Sequence, residues 1–71
     1  MEENLTEREK NVLSNLAQGL TNQEIAGRLH ISVHTVKAHL EALYDKLAVT
    51  NRVQAAMKAV TLDLIDLNRL I

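Results

Sequence analysis

The chain is predicted to be an all-α, compact four-helix bundle, and three observations predict it. First, its 71 residues contain no Pro and two Gly, which suits helices joined by short turns and not a β-meander. Second, apolar residues make up 46% and are almost all aliphatic, recurring at steps of three and four. Third, Ser, Thr and Glu stand in capping patterns immediately before those apolar runs. A chain of this length allows one domain, spanning residues 1–71, with a modest core.

The elements follow in order. Thr6-Glu7-Arg8-Glu9 has the form of a capping box, so a first helix starts there and carries Val12, Leu13, Leu16 and Ala17 on its buried side. Gly19 supplies the left-handed residue that ends it. Thr21-Asn22-Gln23-Glu24 repeats the box and opens a short second helix with Ile25, Ala26 and Leu29 inward, ending near His30. Ser32 caps a third helix whose stripe is Val36, Leu40, Leu43 and Leu47, flanked by Tyr44. Ala48 and Val49 connect to Thr50, read as the cap of a fourth helix starting near residue 51. That helix carries Val53, Ala55, Ala56, Met57, Ala59 and Val60, more apolar positions than one buried face requires. The aliphatic tail "TLDLIDLNRLI" either extends it or folds back.

The second and third helices, residues 21–47, have the spacing of a helix-turn-helix. Ala26 permits close approach, Leu29 and Ile31 flank the turn, and Val36 packs back; His30 stands where Gly is frequent. In such a unit the second helix, here about 33–47, presents outward residues to the major groove while the first crosses the phosphate backbone. Thr21, Asn22, Ser32 and Thr35 lie at or near helix N-termini, where N–H groups and the helix dipole favour phosphate oxygens. His34, Lys37, Ala38 and Glu41 form the outward side. Lys37 can donate to guanine O6 and N7, and Ala38 can sit against a thymine methyl. Lys46 and Arg52 are candidate phosphate contacts. His39 either orients the helix by a hydrogen bond within the protein, which is the favoured reading, or touches phosphate.

Composition excludes several classes. There is no Cys, so no disulfide and no thiolate chemistry. The N-terminus "MEENLTEREK" has no apolar signal core and no apolar run has membrane-spanning length, so a soluble cytoplasmic domain is expected. His34 and His39 stand five apart and do not converge with His30 on a zinc geometry, so neither a metal nor another cofactor is expected. No nucleophile–base pair or glycine-rich phosphate loop is present, and the expectation is that the chain is not an enzyme. The net charge of -1 argues against a strong general nucleic-acid binder, so the distribution matters. Residues 31–58 are net positive through Lys37, Lys46, Arg52 and Lys58, while residues 1–30 and the tail are net negative.

The string from residue 5 to 59 resembles the LuxR-type, or GerE-like, helix-turn-helix domain, as in output domains of NarL/FixJ-type response regulators. Its markers occur in order: "LTERE", "VLSNLAQG", "NQEIAGRL", "IS", "TVKAH", "KLAV", "NR" and "QAA". The resemblance implies sequence-specific binding of a near-palindromic duplex by a bacterial transcriptional regulator, as a homodimer. It places the dimer contact on the fourth helix, at Val53, Ala56, Met57 and Val60, and the base-facing positions at Lys37, Ala38 and Glu41. It also implies an upstream receiver or ligand-binding domain in most members, which controls dimerisation, so that an isolated domain is either the fourth-helix homodimer or a monomer. Glu41 departs from relatives with a basic residue there: it repels phosphate but can accept from cytosine N4. Asp63 stands where many relatives have Gly. The competing reading is a helical protein-interaction module that uses the fourth helix without DNA.

Overall fold

The computed structural model describes residues 5–62, and within them it has four helices in the order α1 (Glu7–Ala17), α2 (Asn22–Leu29), α3 (Val33–Leu47) and α4 (Arg52–Thr61). The tail from residue 63, with Asp63, lies outside the described residues. Both expected capping boxes are formed. Thr6 Oγ1 accepts from the Glu9 amide at 3.1 Å, and Glu9 Oε1 accepts from the Thr6 amide at 3.0 Å. Thr21 and Glu24 repeat the exchange at 3.1 and 2.8 Å. Ser32 caps α3, its Oγ accepting from the Thr35 amide at 3.0 Å.

The last cap differs from expectation. Asn51, not Thr50, caps α4, with Oδ1 accepting from the Gln54 amide at 2.9 Å. Asn is the better N-cap, and its short carboxamide reaches the third-residue amide directly. Thr50 precedes it and donates its backbone N–H to Gln54 Oε1 at 2.9 Å. The Gln54 side chain thus serves the residue before the cap and not the cap itself, so α4 starts without the reciprocal box of α1 and α2.

Three helices stop in the same way. Gly19, His30 and Ala48 have φ of 94°, 60° and 56°, the left-handed region. In each case the next residue donates its N–H five back: Leu20 to Asn15 at 3.2 Å, Ile31 to Ala26 at 3.0 Å, Val49 to Tyr44 at 3.0 Å. These are Schellman closures, which satisfy helix-end carbonyls and put an apolar residue after the turn back on the core. Leu20, Ile31 and Val49 all pack against that core. His30 and Ala48 thus accept a conformation that costs a side-chain-bearing residue about 1–2 kcal/mol.

α1 packs on both α3 and α4, and α2 on α3. The buried core is Val12, Leu13, Leu16, Ile25, Ala26, Val36, Leu40, Leu43, Leu47, Ala55 and Ala59. Burial of a side chain such as Leu43 contributes about 1.5–3 kcal/mol. Ala55 and Ala59 are fully buried, so α4 approaches α1 through its small residues and its larger ones are left outside.

Candidate nucleic-acid interface

α3 has two opposite stripes. Val36, Leu40, Leu43 and Leu47 are buried, at 0, 6, 0 and 1% exposure. His34, Ala38, Glu41 and Asp45 each stand two residues earlier, about 200° round the helix, and all four are exposed. Lys37 is exposed on the flank of that ridge. The ridge is polar without being strongly basic, and it begins at a capped helix N-terminus.

The residues assigned to backbone contact occupy two helix starts. Thr21 is exposed, and its hydroxyl oxygen serves the α2 cap while its O–H remains a donor. Ser32 is exposed and donates from Oγ to Thr35 Oγ1 at 2.9 Å, leaving the half-buried Thr35 hydroxyl with a proton to give. Asn22 is half-buried, and its Oδ1 accepts from Arg52 Nη1 at 2.7 Å, so its amide NH2 is the part left to donate.

Two cations assigned to phosphate have protein partners that the sequence did not reveal. Arg52 also donates through Nη2 to the Leu20 carbonyl at 2.8 Å, so it pins the start of α4 to the α1–α2 turn. Lys46 Nζ lies 2.7 Å from Glu9 Oε1. Glu9 is buried, and this ammonium, first, and the Thr6 amide hold its carboxyl below the ordinary carboxylate range, against the effect of burial. The last turn of α3 is thereby tied to the first turn of α1. The signal that could have found the pair is Glu9's place in the α1 core stripe, three before Val12 and four before Leu13. Arg28 similarly donates to the buried Asn15 Oδ1 at 3.0 Å, bracing α2 on α1. His39 is half-buried and has no hydrogen-bond partner among the described residues, so the orienting bond expected of it is not formed.

On α4 the exposed large hydrophobic residues are Val53 at 69%, Met57 at 65% and Val60 at 36%, with Ala56 half-buried beside them. These are the positions assigned to a second copy. They line one side of the helix at steps of four and three, and Ala55 and Ala59 face the core on the other.

A capped helix held by its leucines against a short preceding helix, with its polar side exposed, is the arrangement of a DNA-binding helix-turn-helix domain. The chain belongs to the luxR family of bacterial regulatory proteins, whose GerE model matches residues 3–59. It is 51% identical over 61 residues to the probable transcriptional regulatory protein SgaR of Hyphomicrobium methylovorum, covering 86% of this chain and 29% of that protein. It is 46% identical over 64 residues to the response regulator VraR of Staphylococcus aureus (strain NCTC 8325 / PS 47), covering 90% of this chain and 31% of VraR. Among solved structures it is similar to the response regulator ChrA of a heme-sensing two-component system, with a TM-score of 0.82 and 45% identity over 92% of this chain and 32% of that one. The chain therefore spans about a third or less of the length of these relatives. No helix among the described residues is long and apolar enough to cross a membrane.

Proposed function

We propose that the domain binds a near-palindromic duplex as a two-fold homodimer, within a cytoplasmic transcription regulator whose output it forms. α3 enters the major groove with Lys37, Ala38 and Glu41 toward base edges, and His34 stands at the groove entrance. Thr21, Asn22, Ser32 and Thr35 donate to phosphates on either side. Lys46 serves the Glu9 pair first, and from the last turn of α3 its positive charge favours a nearby phosphate. α4 pairs with α4 of the second copy through Val53, Ala56, Met57 and Val60. The two copies of α3 then reach half-sites about ten base pairs apart.

One observation carries the reading. The outward ridge of α3 is exposed along its length, while the stripe opposite it is buried. The ridge is free to be inserted without disturbing the core. VraR and ChrA are named response regulators, which supports a role as the output domain of such a protein, with a receiver or ligand-binding domain upstream controlling dimerisation.

The test is titration of duplex DNA at several salt concentrations. Affinity should fall steeply with salt on every duplex, with one selected sequence retained at salt that releases the others. If no duplex binds even at low salt, and chemical shifts move only from residue 50 onward with an added protein partner, the chain is an interaction module instead.

A further inference from the structure

From the exposed ridge of α3 we infer that Glu41 is a specificity-determining residue that selects cytosine in each half-site. This rests on the groove placement of α3 proposed above. Glu41 lies in the centre of the outward ridge, between Ala38 and Asp45, and is exposed. Lys37 stands one turn before it, at the spacing where an ion pair is available. Among the described residues no hydrogen bond or ion pair to Glu41 is formed, with Lys37 or with any other group. Its carboxylate therefore has no structural task within the bundle, and in a groove it must find a donor or suffer repulsion.

The major groove offers it few. Guanine shows O6 and N7, and thymine shows O4, all acceptors that an ionised carboxylate repels. Adenine shows the N6 amino donor beside the N7 acceptor, so attraction and repulsion compete. Cytosine shows the N4 amino group with no major-groove acceptor on its own base, the nearest being O6 of the paired guanine. A carboxylate that only accepts is thus satisfied best by cytosine. Lys37, which only donates, is satisfied best by guanine O6 and N7. Four residues of helix advance about 6 Å, close to two base-pair steps of about 3.4 Å. The pair thus predicts a selected guanine and a selected cytosine about two steps apart. Glu41 also weakens binding to any duplex that lacks the cytosine, because its charge then faces acceptors and nearby phosphates without relief. Sequence choice and restrained general affinity come from one side chain.

The experiment is selection of bound sequences from a random duplex pool with the 71-residue chain and with its E41Q and E41A variants, followed by titration of the selected and a scrambled duplex. Wild type should fix the cytosine, with roughly tenfold weaker binding when it is replaced. E41Q should move that position toward adenine, which a carboxamide meets through N6 and N7. E41A should lose preference there, retain the guanine, and bind the scrambled duplex several-fold more tightly than wild type. Identical selected sequences for all three proteins overturn the inference while leaving DNA binding standing. A wild-type chain that enriches no sequence overturns the DNA-binding proposal itself, and this inference with it.

Discussion

The outward faces of α3 and α4 differ in kind. α3 shows His34, Lys37, Ala38, Glu41 and Asp45, which can donate, accept or sit against a methyl group. α4 shows Val53, Met57 and Val60, which can only be covered. Both helices are held by their opposite sides to one core, α3 by leucines and α4 by two buried alanines. The difference teaches what each face can recognise. A groove lined with donors and acceptors requires polar partners at fixed positions. A second copy of this chain requires apolar area to remove from water.

Substitutions can break that division of labour. The largest effect is expected from Met57→Glu, at the centre of the α4 patch. At the proposed two-fold contact it would put two like charges together, so the half-sites should be bound independently. Affinity for a two-half-site duplex should drop roughly 10²–10⁴-fold, while a single half-site is bound as before. Titration of one- and two-half-site duplexes reads both quantities. Equal losses on the two duplexes would place α4 outside the dimer.

Lys37→Ala comes next. Loss of a base-edge contact should cost about 1–3 kcal/mol on the selected duplex and relax choice at one position, with the same cooperativity. Unchanged affinity and unchanged choice would show that α3 is turned otherwise in the groove.

Glu9→Gln probes the link that holds α3 in place behind both faces. The carboxyl pKa is lowered on folding, so the ion pair contributes stability above the ordinary carboxylate range and loses it as pH falls below that range. The variant should be less stable than wild type by about 1 kcal/mol or less near neutrality. Urea melts from pH 7 to pH 3.5 should show this difference closing toward acid. A difference that stays constant would mean that the charge contributes nothing.

The smallest effect is expected from Ala48→Gly in the turn that separates the two faces. Relief of the left-handed strain, less the greater freedom of Gly in the unfolded chain, should raise stability by about 0.5 kcal/mol. DNA affinity should not move, and a thermal melt beside the titration checks both.

Local patterns were legible in advance where their chemistry is local. Thr6 with Glu9, and Thr21 with Glu24, close their boxes within four residues, and the leucine stripe of α3 follows from helical periodicity alone. The same reading placed the cap of α4 one residue early, because Thr50 and Asn51 are both competent and only the backbone decides between them. It passed over Ala48, since nothing in an alanine signals a left-handed φ. The clue was in the following residue: Leu20, Ile31 and Val49 each stand where a closing turn needs an apolar anchor.

By itself, the sequence determined four helices, where three of them begin, which side of α3 is buried, and the family that the chain belongs to. Only the tertiary structure decided what the long cations do. Arg52 reaches Asn22 across 30 residues, and Lys46 reaches Glu9 across 37. The reason is physical: a cap or a stripe is specified by neighbours three or four apart, whereas a flexible charged side chain takes the partner that folding brings within reach.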